Sequence, residues 1–396
     1  MNIPYGAEII ISRLNSHGHR GDIVGGCVRD FLLGNEPNDY DITTDAKPEK
    51  MREIFSDFRT VDTGIKHGTL TVLVDSVPYE VTTYRIDGEY TDNRHPDKVS
   101  FTDKLCDDLS RRDFTVNAMC YNKRDGLTDI FGGKEDLKSG IIRAVGDPMQ
   151  RFSEDALRIL RALRFASTLN FKIEEKTSRA IFKTASLLKN VSRERIFEEW
   201  KKLISGIGAE RILREYISVI TEVIPGLSNE CAEMLPKDFS SASPEIRELS
   251  LFALSSRSEA GESYSLAMRS LHSDNHRREL GACVLNNLEA PTEDDAHIRL
   301  LLVKVGDVCA KSILQLKILL GEAESSALTR LERILALNPC YRISDMKIDG
   351  NDLSAIGISG KNIGDTLRAL LLMIAEGKIE NEKDRLIEVA KKLSRS

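Results

Sequence analysis

The sequence predicts an N-terminal α+β head, a mixed β-sheet with flanking helices, followed by an all-α remainder. Two observations carry that expectation. Up to about residue 140, short β-rich runs alternate with helix-like runs, separated by Gly, Pro and Asp. From about residue 148 to the end the 3.6-residue period dominates, punctuated by Pro148, Pro225, Pro236, Pro244, Pro291 and Pro339. A chain of 396 residues also exceeds one ordinary domain.

Residues 3–16 read as a helix. GDIVGG is a short strand ending in two glycines, and CVRDFLLG opens a helix directly after them. DYDITTD alternates polar and apolar residues, as a half-buried strand does. Residues 47–57 read as helical, with Pro48 near the start. KHGTLTVLV and PYEVTTYRI are two β-rich runs joined by Asp75–Ser76, which reads as a hairpin turn. Residues 87–104 (DGEYTDNRHPDKVSFTDK) are polar and without period, and read as a mobile loop. FGGKEDLKSG is a turn-rich connector into the helical part.

Composition narrows the function classes. Hydrophobic residues at 41% and charged residues at 30% are those of a soluble globular protein. No run of about 18 apolar residues exists to span a membrane. The segment MNIPYGAEIIISRL lacks the charged, apolar and small-residue order of a secretion signal, so a cytoplasmic protein is expected. The seven cysteines are scattered without a CxxC pair and read as reduced thiols. His272 and His276 are four apart without an HExxH, and no His-Asp dipeptide occurs, which disfavours an appended metal phosphohydrolase. The formal charge of −6 is not that of a chain coated in basic residues. Nucleic-acid contact would have to come from local patches: Arg111–Arg112, the arginines between 151 and 164, and Lys201–Lys202.

The chemistry concentrates around Asp39-Tyr40-Asp41. On a strand, side chains at i and i+2 share a face, so both carboxylates project together while Tyr40 and Ile42 face the core. Two hard carboxylates on a rigid strand suit Mg²⁺, which keeps waters and substrate phosphates in its shell. Alone, Asp-x-Asp is also what a solvated strand face presents. Upstream, Gly25-Gly26 falls between strand and helix, where glycines let the backbone approach a phosphate. Arg29, one turn into that helix, could add a charge-assisted contact to a triphosphate. Glu80 on a later strand could supply a third carboxylate across the sheet, or be an ordinary exposed strand residue. Two metals held this way could clamp the attacking and leaving oxygens of an in-line displacement.

With GGCVRDFLLG followed by NDYDITTDA, the head resembles the class II (bacterial-type) CCA-adding tRNA nucleotidyltransferases and poly(A) polymerases, within the polymerase-β-like superfamily. RRDFTVNAM at 111–119, DIFGGKEDLKSGIIRAVGDP at 129–148, RFSEDALRILRALRFAS at 151–167 and SRERIFEEW at 192–200 follow in order. The segment beginning IDGNDLSAIGISGKNIGDTLRAL also resembles the tail of the tRNA-specific members, whereas 205–340 matches only as generic helix. The resemblance implies a nucleotidyltransferase head (1–140), a neck with a nucleotide-recognition helix (141–204), a body (205–325) and a tRNA-binding tail (326–396). It implies Asp39 and Asp41 as ligands of two Mg²⁺ (or Mn²⁺) ions, with Glu80 as a third catalytic carboxylate. Gly25, Gly26 and Arg29 would meet the nucleotide phosphates, Arg112 the nucleotide, and Asp113 the sugar. The implied partners are tRNA, ATP and CTP, with neither a membrane nor DNA.

In EDALRILRALRF, Asp155, Arg158, Arg161 and Arg164 recur every third residue, a row winding slowly across one helix face. A solvated face with an Asp155–Arg158 ion pair would show the same spacing. The residue types also fit a base-reading pair. Cytosine offers an N4 amino donor beside the N3 acceptor, and adenine an N6 amino donor beside N1. A carboxylate accepts from the amino group, and a guanidinium donates to the ring nitrogen. Uracil and guanine turn a carbonyl oxygen toward the carboxylate instead. One good bidentate base contact is worth about 1–3 kcal/mol. In the resembling family these two positions read the base, and Arg161 and Arg164 lie along the nucleotide. In that family the switch from C to A involves the growing RNA end and a flexible loop before the RRD block, here 87–104, and members adding only CC have it shortened. The resemblance, with a full-length loop, therefore disfavours CC-only addition.

Three other readings stay open at this point: an A-adding-only enzyme or poly(A) polymerase, a non-catalytic nucleotide- or RNA-binding module, and nucleotidyl transfer to a small molecule. The strongly basic extension common in bacterial poly(A) polymerases is absent, and the long helical body suits a small acceptor poorly. A tRNA would be gripped through phosphates and 2′-hydroxyls of its acceptor helix. Lys201, Lys202, Lys361 and Lys378 are candidates for that grip, or plain surface charges.

Overall fold

A computed structural model of the chain describes residues 3–62, 64–88 and 99–394. The chain divides into two compact units, 1–223 and 224–396.

The first unit opens with α1 (Tyr5–Ser16), which buries Ala7, Ile10, Ile11 and Leu14, one apolar stripe at helical spacing. The next elements are β1 (Gly21–Val24), α2 (Gly26–Leu32), β2 (Asp41–Thr44), α3 (Pro48–Ile54) and β3 (Arg59–Val61). β4 (Thr69–Val74) and β5 (Val77–Thr83) form the expected hairpin. Asp75 and Ser76 at its turn both carry positive φ, 51° and 67°, as a tight two-residue turn between twisted strands requires. Then come β6 (Arg85–Asp87), β7 (Val99–Phe101), α4 (Leu105–Ser110), β8 (Met119–Asn122), β9 (Gly126–Asp129) and α5 (Gly133–Ser139). Seven strands make one sheet in the order β3-β4-β5-β2-β1-β8-β9. The β2–β5 pairing is parallel and the others antiparallel, so the sheet is mixed as expected. β1 is bonded on both sides and all four of its residues are buried. Its one charged residue, Asp22, is matched by Arg20 (2.6 Å), the Tyr84 hydroxyl (2.9 Å) and the Asn122 amide (2.5 Å).

The sheet expectation needs one correction. β2 begins at Asp41, paired with Val24, so Asp39 lies two residues ahead of the strand rather than on it. Ile42 is fully buried and Tyr40 half-buried, while Asp39 and Asp41 are both exposed. Of the expected loop 87–104, residues 89–98 lie outside the described residues, and Val99–Phe101 is strand rather than loop, paired antiparallel with Arg85–Asp87.

The rest of the first unit is helical apart from a two-residue parallel pair, β10 (Ile141–Ile142) with β11 (Lys172–Ile173). Its helices are α6 (Pro148–Glu154), α7 (Leu157–Thr168), α8 (Glu175–Thr184), α9 (Arg193–Ser205) and α10 (Ala209–Ile220). Helix α7 buries Ile159, Leu160, Leu163 and Phe165 and packs on α9 and α10. EDALRILRALRF is therefore not one helix. Asp155 is extended (φ −135°, ψ 103°) and separates α6 from α7.

The second unit is all helix: α11 (Pro244–Ser255), α12 (Ala260–Ser270), α13 (Asn275–Asn286), α14 (Asp295–Leu319), α15 (Ser326–Ala336), α16 (Gly350–Ala355), α17 (Lys361–Ala375) and α18 (Lys383–Leu393). Helix α14 kinks at Gly306, whose φ of 77° leaves the helical region. Leu353, Leu367, Leu370, Leu371 and Leu386 form a core for the last three helices. Among the described residues no helix is long and apolar enough to cross a membrane.

Candidate active site

The acidic group forms where three strands meet. Val24 pairs with Asp41 across β1–β2, and Ile42 pairs with Val81 across β2–β5. Stepping back one residue in that parallel register sets Asp41 beside Glu80. Both residues are exposed, while Ile42 and Val81 are buried on the other face. Asp41 opens to solvent, yet enough protein surrounds it that burial pushes its carboxyl up to about 6, with like charge from Asp39 and Glu80 adding and Arg112 opposing. Such a group gains from a cation, so the Asp39–Asp41 pair fits hard divalent ions that complete their shells with water and phosphate oxygens. Among the described residues, no three acidic, His or Cys side chains are drawn close enough to cage a metal. Glu80 therefore neighbours the pair without forming a ready-made third ligand.

Beside the acids lies a cradle of backbone and guanidinium. Gly25 precedes α2 with φ 85° and ψ −132°, a conformation open essentially to glycine. A Cβ there would lie 3.0 Å from Arg112 Nη1, so the missing side chain also makes room for that guanidinium. Arg112 Nε is buried and unpartnered, and its Nη2 reaches Asp108 only at 3.4 Å. An unsatisfied buried donor at a glycine turn suits an anion. Burial alone would raise the Asp108 carboxyl, but Arg111 and Arg112 hold it below its ordinary value. Asp108 also accepts the Thr43 hydroxyl at 3.2 Å, tying both arginines to the strand that carries Asp41. A Cβ on Gly26 would meet the Arg29 guanidinium at 3.6 Å, an ordinary contact, so Gly26 is needed less than Gly25.

The arginines of α7 and of α2 converge on one ring. Arg29, Arg161 and Arg164 stand 5.0, 5.3 and 3.6 Å from the Phe165 centroid. Arg29 also donates to the Asn117 side chain at 2.7 Å and to Asp30 at 2.8 Å. Arg161 clamps Asp113 with two bonds of 2.7 and 2.9 Å, and Arg164 pairs with Glu199 at 2.7 Å. Burial would raise the Asp113 carboxyl, but Arg161 and the Asn117 amide hold it down at about 2.

Among the described residues no side-chain bond joins Asp155 to Arg158, whose backbone N–H reaches the Asp155 carbonyl at 3.0 Å, and this departs from the simple ion-pair alternative. Arg158 is held by Glu154 at 2.8 Å and donates to the carbonyls of Arg151 (3.2 Å) and Arg111 (2.8 Å). Asp155 accepts the Leu157 N–H at 3.1 Å and pairs with Arg195 at 3.0 Å. The residue types of Asn117, Glu154, Arg195 and Glu199 carry no signal that singles them out in sequence. Only their place inside the RRDFTVNAM, SEDALR and SRERIFEEW blocks could have marked them. Of the lysines, Lys201 pairs with Glu198 and Lys378 with Glu376, both at 2.8 Å, while Lys202 and Lys361 are exposed.

Comparison with known proteins identifies the family. The poly(A) polymerase head-domain family matches residues 22–143, and a probable RNA- and SrmB-binding site of polymerase A matches 170–225. A putative domain 2 of tRNA nucleotidyltransferases matches 247–390. The CCA-adding enzyme of Ligilactobacillus salivarius is 36% identical over 97% of this chain and 95% of its own length. That of Enterococcus faecalis is also 36% identical, over 98% and 95%. The crystal structure of the Bacillus stearothermophilus CCA-adding enzyme in complex with CTP superposes with a TM-score of 0.84 at 31% identity, covering 100% of this chain and 98% of that one. With more than a third of positions identical along nearly the whole of both chains, this protein belongs to the CCA-adding enzymes.

Proposed function

We propose that the protein adds C, C and A to the 3′ end of tRNA from CTP and ATP, without a nucleic-acid template and with release of pyrophosphate, in the cytoplasm. The observation that carries the reading is the likeness to CCA-adding enzymes through the head, the neck and the tail together. A binding module without catalysis would have no need of the acidic pair beside the glycine cradle.

The Gly25 turn and Arg112 receive the triphosphate, with Arg29 and Gly26 alongside. Asp39 and Asp41 would hold two Mg²⁺ (or Mn²⁺) ions, and Glu80 would lend a third negative charge from the next strand. When bound, the ions supply positive charge that activates the 3′-hydroxyl and neutralises the departing pyrophosphate. The 3′-oxygen bonds to the α-phosphorus, and the bond from that phosphorus to the β-phosphate oxygen breaks. Asp155 accepts from the amino group of cytosine or adenine while Arg158 donates to the ring nitrogen, and Glu154 keeps Arg158 in place. Asp113, locked to Arg161, borders the sugar, and Arg164 lies along the nucleotide. The tail meets the tRNA by backbone shape rather than base identity.

Three tRNA acceptors test this reading against an A-only enzyme and a poly(A) polymerase: one ending at the discriminator base, one at C and one at CC. Each is offered CTP or ATP separately. CTP is expected to extend the first two and stop after the second C, and ATP to add a single A to the third. ATP addition to the third acceptor without any CTP addition to the others would replace full CCA synthesis by A addition. Long A tracts on all three would indicate a poly(A) polymerase.

A further inference from the structure

We propose that Arg195 is a positioning residue for nucleotide choice: it fixes the plane of the Asp155 carboxylate and keeps one donor free for the incoming nucleotide. The inference rests on the reading of Asp155 as the acceptor for the base amino group.

Asp155 is the extended residue between α6 and α7. Its N–H closes α6 on the Arg151 carbonyl (3.3 Å) and its own carbonyl accepts the Arg158 N–H (3.0 Å), so the backbone is fixed and the carboxylate is oriented only by its own bonds. One of its oxygens accepts the Leu157 N–H at 3.1 Å. That single bond leaves the terminal torsion soft, because rotation about the bond to a carboxylate is broad and nearly two-fold. The second oxygen is held by Arg195 Nη2 at 3.0 Å, from a helix forty residues further along the chain. Two bonds to two oxygens fix a plane. Each carboxylate oxygen has two acceptor sites, so capacity remains for a base amino group. Arg158 is tied separately, by Glu154, so each member of the reading pair has its own oppositely charged anchor.

Arg195 is not saturated by this contact. Its Nη1 is buried without a partner, although the side chain as a whole is 27% exposed. Buried guanidinium nitrogens are ordinarily hydrogen-bonded, and an open one beside a ligand-reading carboxylate is completed when an acceptor on the ligand arrives. Unpartnered buried guanidinium nitrogens also occur at Arg211 and Arg330, outside this site, so it is the place of the open Arg195 donor beside Asp155 that ties it to the nucleotide.

Initial rates with all four nucleoside triphosphates on tRNA ending at C and at CC test the inference in the full-length protein. Arg195→Met is expected to raise UTP relative to CTP, and GTP relative to ATP, by about tenfold, the effect of loosening one base contact. Arg195→Lys restores a single bond to Asp155, so it is expected to recover base preference while KM for CTP and ATP stays raised, because the second donor is gone. Asp155→Asn is measured alongside. Should it change base preference while Arg195→Met slows all four nucleotides in parallel, Arg195 is structural and the inference falls alone. Unchanged preference in both variants overturns the inference together with the base-reading role of Asp155. If Arg195→Met does not fold, Arg195→Lys decides: preserved preference with raised KM supports the inference, and wild-type KM overturns it.

Discussion

Replacing Asp41 by Ala is expected to lower nucleotide incorporation by at least about a thousandfold while tRNA binding stays within about twofold. Charge stabilisation by metal ions in such a displacement is worth several kcal/mol, and each 1.36 kcal/mol is a factor of ten. Asp41 is exposed and, among the described residues, no cation forms a direct ion pair with it, so removing it breaks no such contact. Incorporation of labelled CTP, read beside tRNA retention on a filter, measures both effects. The proton competes with the metal at this site. With its carboxyl at about 6, Asp41 is largely ionised at pH 7.5 and increasingly protonated below 6, so apparent Mg²⁺ affinity is expected to fall as pH drops through that value. The linkage to stability runs the other way from a salt-bridged carboxylate. A raised folded-state value means the metal-free fold disfavours the charged form above about pH 6 and is relieved as pH falls. Asp41→Asn is therefore expected to stabilise the metal-free protein at neutral pH, with the gain shrinking as pH falls through about 6 and essentially gone below about pH 4.

Asp155→Ala is expected to raise UTP and GTP incorporation relative to CTP and ATP by about ten- to a hundredfold, the range of one base contact of 1–3 kcal/mol. With the carboxylate present, the O4 of uracil or O6 of guanine would face a second acceptor with no proton between them. Ala removes that repulsion, and it also removes the amino-group acceptor used by cytosine and adenine. The carboxylate also caps the start of α7 through the Leu157 N–H, so the Ala variant loses about 1 kcal/mol of local stability. Asn in the same place retains a capping oxygen and separates the two effects. Misincorporation ratios from single-nucleotide extension decide the matter, and unchanged ratios would remove Asp155 from base reading.

Much of the head was legible because its signals are local. The Asp75–Ser76 turn between two alternating runs sets the β4–β5 register, and Gly25 marks a backbone that only glycine accepts. What was not legible is decided by partners far along the chain. EDALRILRALRF contains no Pro or Gly and reads as one helix, yet it breaks at Asp155, whose two oxygens go to the Leu157 N–H and to Arg195. The row of four residues at a spacing of three is thus a row of three arginines behind an acid that stands before the helix. Asp39 falls outside its strand because the β1–β2 pairing starts only at Asp41. Phe165 reads as ordinary apolar surface, and the three guanidinium groups around it come from α2 and α7 together. The Asp155–Arg158 pairing suggested by spacing gives way to Glu154 and Arg195, one from the preceding turn and one from α9.

The central claim is that the exposed acids on and beside β2 hold divalent ions against a triphosphate seated at the Gly25 turn. A crystal of the full chain soaked with CTP and Mn²⁺ tests it, because Mn²⁺ is located by its anomalous scattering. The account expects anomalous peaks within coordination distance, about 2.1 Å, of Asp39 and Asp41 carboxylate oxygens, with triphosphate oxygens in the same shells and Arg112 Nε bonded to phosphate. A triphosphate bound away from these two aspartates, or Mn²⁺ held elsewhere, would contradict it.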